Sequence, residues 1–136
     1  MIHLNKKLYE KLIHNAKYHY PNECCGYLIG KQNPLTLDNH INEIFEIKNI
    51  HQNPQHFFIL DPKDQLKAFQ KAKKQNLDIV GIFHSHPFSE AYPSSEDLKY
   101  IYDNRQSYCI ISLKSEPIIL SYRIDTKKIY KEKIKF

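Results

Sequence analysis

Apolar residues recur at helical spacing between Leu4 and His19, where Leu8, Leu12, Ile13 and Ala16 form one stripe, so the chain opens with an amphipathic helix. Tyr20-Pro21-Asn22 stops it, because a proline disfavours helix in the residue before it. The pattern then changes to strand. Cys24 to Ile29 is a short apolar run, Lys31-Gln32-Asn33-Pro34 is a turn, and Leu37 to Asn49 is a bent strand carrying Ile41, Ile44 and Ile47. Asn49 to Gln55 is polar and reads as loop, and Phe57 to Leu60 as a short strand. Pro62 fits the first turn of a helix running to Gln75, with Leu66, Phe69 and Ala72 inward. The β-branched run from Asp78 to Ser85 is a buried strand. A loop follows from Pro87 to Pro93, then a helix from Ser94 to about Asn104. Tyr108 to Leu113, Ile118 to Ile124 and Lys128 to Ile134 close the chain as strands, and the lysines of the last mark an edge. Pattern alone supports α/β or α+β and nothing finer.

At 136 residues, without repeats or a linker, one domain over 1–136 is expected. No apolar run reaches membrane-span length and no signal-peptide core follows Met1, so no membrane and a cytoplasmic location are expected. Three cysteines, two of them adjacent at Cys24-Cys25, argue against a disulfide framework. Along a strand one of that pair faces the core and the other a cleft, as small buried side chains. The net charge of +5 comes from scattered lysines, a solvated surface whose one functional alternative is steering of an acidic protein partner. No nucleic-acid-binding signature accompanies it.

The chemistry concentrates at His84-Ser85-His86-Pro87, followed by Ser94 and Asp97. On an extended strand His84 and His86 share a face, and two imidazoles with a carboxylate and one position left for water are the donor set of a catalytic zinc. Pro93-Ser94-Ser95-Glu96-Asp97 also reads as a helix start with Ser94 as N-cap, a rigid base from which to aim Asp97. His51 and His56 lie in or beside the polar loop, but no carboxylate or cysteine accompanies them as a metal set.

Upstream, Glu23 precedes Cys24-Cys25-Gly26 at the mouth of an apolar strand. Glu23, His84-Ser85-His86-Pro87, Ser94 and Asp97, with Phe57-Phe58-Ile59-Leu60-Asp61-Pro62 and Val80-Gly81-Ile82-Phe83, resemble the JAMM (MPN-plus, JAB-domain) zinc metallopeptidases. The small bacterial branch, which includes sulfur-carrier-protein peptidases of the CysO-cysteine type, is the nearest in pattern. The resemblance implies a mixed curved sheet flanked by helices. It implies one Zn2+ held by His84, His86 and Asp97, zinc-activated water with Glu23 as general base, and Ser94 as donor to the oxyanion. Ser85 faces the other way as a structural link. The implied substrate is a ubiquitin-like sulfur-carrier protein, cut at the amide or isopeptide bond after its C-terminal Gly-Gly tail. The loop Phe88-Ser89-Glu90-Ala91-Tyr92 would lie beside the leaving group.

Other readings stay open at this point. These are a deubiquitinase-like isopeptidase on other ubiquitin-like conjugates, a non-catalytic MPN-type binding scaffold, a cysteine protease using Cys25, and a homodimer through an exposed sheet edge. A zinc nucleobase deaminase would need a Pro-Cys-x-x-Cys element that the chain does not contain.

Overall fold

A computed structural model describes every residue except Tyr100 and Tyr102. Its elements in chain order are β1 (Ile2–His3), α1 (Lys6–His19), β2 (Cys25–Gln32), β3 (Asn39–Ile47), α2 (Pro62–Lys74), β4 (Asp78–His86), α3 (Ser95–Leu98), β5 (Ser107–Ser112), β6 (Ile118–Asp125), β7 (Lys128–Glu132) and β8 (Ile134–Lys135). The strands form one mixed sheet in the order β7-β6-β5-β4-β2-β3-β1-β8. Only Lys133 separates β7 from β8, yet β7 pairs with β6 at one end of that order and β8 with β1 at the other. One short stretch of chain therefore joins both edges, which requires the sheet to curl. The strand expected over 128–134 is thus two strands, each at an end of the order.

Two bulges decide which side chains share a face. Pairing of β2 with β3 steps from Ile29–Glu43 to Gly30–Ile41, and pairing of β2 with β4 steps from Leu28–Gly81 to Ile29–Ile79, leaving Asn42 and Val80 as extra residues. Ile41 and Ile44 consequently lie in one core with Val80 and Phe83, while Ile47 lies on the opposite side with Tyr27 and Ala68. Helix α1 covers the first side, burying Leu12 and Ala16 against the cluster of Leu28, Phe83 and Ile111. Its N-terminus is capped by Asn5, whose Oδ1 accepts the Leu8 N–H at 2.9 Å. Gly26 is required by this packing: a Cβ there would come within 2.5 Å of the Phe83 ring and nearer still to the Phe45 carbonyl oxygen.

Helix α2 covers the other side, beginning at Pro62 with Asp61 as its cap. Its inward line is Ala68 and Ala72 rather than Leu66 and Phe69, which are 57% and 49% exposed. Small alanines let the helix lie close to the sheet, and that rotation carries the two larger side chains to the flank. The segment Phe57–Leu60 differs from the expected strand, being tied down by a single bridge between Asn49 and Leu60. The Asn49 side chain takes the neighbouring ladder positions, donating to the Phe57 carbonyl and accepting the Ile59 N–H, both at 3.0 Å. The turn expected at 31–34 lies slightly later, because β2 runs through Gln32 and Asn33 Oδ1 accepts the N–H groups of Leu35 and Thr36. Helix α3 ends at Leu98 instead of continuing to 104; Asp103 and Asn104 are non-helical, and Tyr100 and Tyr102 lie outside the described residues. Strand β1, two residues long, is too short to leave a periodic signal.

Candidate metal centre

Beyond the Val80 bulge, Ile82 packs with the Tyr27–Ile47–Ala68 cluster and Phe83 with the α1 core. Alternation then sends His84 and His86 to the α2 side and Ser85 to the α1 side. Ser85 is fully buried and stitches β4 to the start of β2: its Oγ accepts the Cys24 N–H at 2.8 Å and its N–H donates to the Cys24 carbonyl at 3.0 Å. Cys25 stands opposite His84, so extending this antiparallel register places Glu23 opposite His86. The Glu23 main chain is held on both sides, its N–H donating to Pro54 O at 2.7 Å and its carbonyl accepting Asn49 Nδ2 at 3.1 Å.

Three donor atoms converge in front of β4. His84 Nε2 and His86 Nε2 are 3.0 Å apart, and Asp97 Oδ2 lies 3.1 Å from the first and 3.2 Å from the second. Donors bound at about 2.0–2.1 Å around a tetrahedral zinc stand about 3.3–3.4 Å from one another. The three residues therefore fit such an ion with little adjustment. Asp97 is aimed by a reciprocal cap at the start of α3: its N–H donates to Ser94 Oγ at 3.1 Å, and its Oδ2 accepts the Ser94 N–H at 2.9 Å. His86 Nδ1 lies 2.7 Å from the Glu90 carbonyl, which fixes a proton on Nδ1 and leaves the Nε2 lone pair facing the other donors. The His84 ring stacks on Phe58 at 4.5 Å.

The electrostatics match a site built for positive charge. Burial works to raise the Asp97 carboxyl, but the neighbouring His84, hydrogen bonds from both imidazoles and the Ser94 N–H outweigh it and hold Asp97 well below the usual carboxylate range. Burial lowers His84. At His86 burial acts in the same direction but is overcome by the bonds to Asp97 and Glu90, which raise it. Glu23, 5% exposed, is pushed by burial to about 8, and its Oε1 is buried without a hydrogen-bond partner. A buried, unpartnered carboxylate oxygen is costly unless something absent from the polypeptide completes it.

Glu23, His84, His86, Ser94 and Asp97 are thus gathered from three separate stretches of chain. His51 and His56 stay outside the three-donor group. Cys24 and Cys25 face opposite sides of β2 as expected, but both are buried, so neither reaches an open cleft. Burial pushes the Cys24 thiol up to about 12 and raises Cys25, whose Sγ donates to Ile47 O. A buried thiol whose pKa is raised is poorly suited to act as a thiolate nucleophile. The loop after His86 is pinned by Ser112 Oγ donating to Ser89 O at 2.7 Å and by Tyr122 donating to Ala91 O. Phe88, 44% exposed, contacts Tyr20 and His56, and Tyr92 packs edge-on against Tyr122. The sequence patterns gave Asn49 no role, and Phe58 only a place in the segment that resembles the family, not one beside His84. Asn49 anchors both Glu23 and the segment that carries Phe58, and an asparagine opening a polar loop was the available signal.

Beside the donors lies a largely apolar cavity of about 380 Å³, lined by Tyr27, Phe58, Ile82, His84, Asp97 and Tyr108 among others. Phe58 N–H, Phe58 C=O and Leu60 N–H find no hydrogen-bond partner among the described residues, while Phe57 and Ile59 bond to Asn49 and Ile50. This short extended segment therefore presents an unpaired edge, and its residues Phe58 and Leu60 line the cavity. Among the described residues no helix is long and apolar enough to cross a membrane.

Residues 5–125 match the family described as prokaryotic homologs of the JAB domain. The chain is 39% identical over 77 residues to the desampylase of Pyrococcus furiosus, a match covering 57% of this chain and 50% of that protein's length. It is 30% identical over 119 residues to the CysO-cysteine peptidase of Mycobacterium tuberculosis, covering 86% of this chain and 78% of the relative. The solution structure of a protein from Desulfitobacterium hafniense superposes with a TM-score of 0.87 at 36% identity, covering 98% of this chain and 91% of that one. A JAB1/MPN domain protein from Archaeoglobus fulgidus has the same fold, with a TM-score of 0.61 at 18% identity over 98% of this chain and 94% of its own.

Proposed function

Because the chain belongs to the family of prokaryotic JAB-domain homologs, we propose that it is a zinc-dependent peptidase cutting the amide or isopeptide bond after the C-terminal Gly-Gly of a ubiquitin-like sulfur-carrier protein. The observation that carries this reading is the convergence of three donor atoms within 3.2 Å, with the unpartnered oxygen of Glu23 in the same buried site. His84, His86 and Asp97 would hold the zinc, which when bound supplies Lewis-acid chemistry, lowering the pKa of water and polarising a carbonyl.

The chain's own groups do the rest. Glu23, held by Pro54 and Asn49 rather than by the donor set, takes a proton from the attacking water and passes it to the leaving amine. Ser94 Oγ accepts the cap bond from Asp97 N–H, so its own hydroxyl proton is free to donate to the developing oxyanion. The Glu90 carbonyl keeps His86 in one tautomer throughout. An extended tail is supported by the unpaired edge at Phe58 and Leu60, which offers main-chain hydrogen bonds to a strand laid along it. Buried free thiols at Cys24, Cys25 and Cys109 suit a reducing, cytoplasmic setting.

A second substrate geometry is favoured by a specific observation: the relative at 39% identity is a desampylase. The scissile bond would then be an isopeptide to a lysine side chain rather than a bond to a terminal residue. The test is mass spectrometry of a sulfur carrier extended by cysteine after Gly-Gly, alongside a lysine-linked conjugate, with zinc-loaded protein, chelated protein and Glu23→Gln. Cleavage after Gly-Gly by the zinc-loaded protein alone is expected. Bound zinc with both substrates intact would refute the substrate assignment, and cleavage by Glu23→Gln would refute the mechanism.

A further inference from the structure

Ile82, His84 and His86 form a row along one face of β4, and the two ends of that row have different surroundings. The apolar cavity lies against Ile82 and His84, and its lining takes in Asp97 but not His86 or Glu23. Glu23 stands across from His86 at the other end, by the register that pairs Cys25 with His84. Just past His86, three aromatic rings from separate segments meet. Tyr20 caps the end of α1, three residues before Glu23. His56 closes the turn whose Pro54 carbonyl holds the Glu23 N–H at 2.7 Å. Phe88 is two residues beyond His86, and its ring meets Tyr20 edge-on at 5.6 Å and His56 at 6.0 Å. The rings do not bury one another: Tyr20 is 52% and Phe88 44% exposed, and His56 is exposed as well. Ser112 and Tyr122 fix the loop beneath Phe88 by its Ser89 and Ala91 carbonyls, so the rings make a platform rather than a loose tip.

The proton path decides which part of a substrate meets this platform. Glu23 passes its proton to the leaving amine, so the amine departs at the Glu23 end of the row while the tail lies at the cavity end. We propose that Tyr20 and Phe88, braced by His56, form the leaving-group subsite and select an amine carried on an aliphatic stem, the ε-amine of a lysine, over the α-amine of a terminal residue. The inference rests on the tail-cleaving reading above and adds which leaving group is released and which residues choose it. A lysine ε-amine is followed by a run of methylenes without a polar atom, which packs on ring faces and leaves no hydrogen bond unmade. An α-amine is followed at once by a carboxylate or a peptide carbonyl. Ring faces carry the negative part of the aromatic quadrupole. Glu90, on the same loop, is 77% exposed and engages Lys114 at 3.2 Å. A terminal carboxylate placed there would meet negative surroundings, with the neighbouring cation already paired.

The test varies the stem and the platform together. A sulfur-carrier protein ending in Gly-Gly is joined through its C-terminus to the ε-amine of Nα-acetyl-lysine amide, to the β-amine of Nα-acetyl-diaminopropionic acid amide, or to the α-amine of cysteine. Mass spectrometry gives kcat/KM on each linkage for zinc-loaded parent, Phe88→Ala, Tyr20→Ala and Phe88→Leu. Differences in amine basicity are common to all four proteins and cancel when their preferences are compared. The parent should favour the lysine linkage over the diaminopropionate linkage by about tenfold, as partial burial of the additional methylenes supplies, and each alanine variant should bring that preference within about twofold. Phe88→Leu keeps an apolar surface and should retain most of it, with zinc stoichiometry and melting temperature unchanged in every variant. A parent that cuts the linkages equally or prefers cysteine, a preference that survives both alanine variants, or a leucine variant as indifferent as alanine would each overturn the proposal alone. Loss of zinc together with the preference would tie the rings to the metal centre and overturn it too. Failure of the zinc-loaded parent to cut any of the linkages would overturn the tail-cleaving reading and this proposal with it.

Discussion

Replacing Glu23 by Gln should stabilise the metal-free protein, and more so as pH rises. The carboxyl titrates near 4.5 in the unfolded chain and near 8 in the fold, where burial penalises its charge. A group whose folded pKa is raised costs nothing below about pH 4.5, when both states are protonated. Between 4.5 and 8 only the unfolded state loses its proton, so folding stability falls across that window and levels off above it. At about 1.36 kcal/mol per pH unit, the cost is under about 1 kcal/mol at pH 5, about 4 kcal/mol at pH 8, and levels off near about 5 kcal/mol above that. Glutamine mimics the protonated carboxyl and does not titrate, so the variant recovers this cost. Asp97, held low, stays ionised in both states throughout the window; the His84 shift is common to both proteins, and Glu23 is the smallest of the causes that raise His86. Urea denaturation of both proteins in excess chelator at pH 5, 6.5 and 8 measures the difference. A gap independent of pH, or a Gln variant less stable at pH 8, would refute the burial argument. Adding zinc should shrink the gap, because a nearby cation favours the ionised carboxylate.

Further outcomes follow from the same geometry. Ser94→Ala should retain zinc by mass spectrometry of the native protein, lose about 1 kcal/mol of stability with the cap, and lose about 100-fold in kcat if its hydroxyl serves the oxyanion. A kcat unchanged by the substitution would leave Ser94 as a cap only. Asp97→Asn should lose stoichiometric zinc in elemental analysis, since the same oxygen faces both imidazoles and accepts the Ser94 N–H; full zinc occupancy would remove Asp97 from the donor set. Chelation should abolish peptidase activity reversibly while iodoacetamide leaves it intact, because all three thiols are buried and raised; the reverse pattern would revive a cysteine mechanism. Gly26→Ala should destabilise by about 1–3 kcal/mol in the same denaturation assay, as the added methyl meets the Phe83 ring and the Phe45 main chain.

The site was legible in the sequence because its parts are local signals. The period of two in His84-Ser85-His86 survives in β4 because the Val80 bulge lies upstream of it. Ser94 and Asp97 were readable twice over, as a helix start and as a donor, and the reciprocal cap makes these one arrangement. Glu23 was named only through its resemblance to a family pattern. No local rule brings a residue 61 positions before His84 to the same site; the pairing of Cys25 with His84 does.

What the sequence alone determined is therefore the order and type of most elements, and it named His84, His86 and Asp97, the three residues whose donor atoms the fold gathers. These depend on side-chain period, on proline and asparagine at element ends, and on residue chemistry. Tertiary structure decided which faces met. The bulges at Asn42 and Val80, a rotation of α2 set by two alanines, and the splitting of the last strand between two sheet edges all depend on partners far along the chain. It also decided the burial that raises Glu23 and the pairing of an asparagine side chain in place of a strand at Phe57–Leu60. Periodicity reports which side of an element is apolar; only packing fixes what that side is pressed against, and how closely.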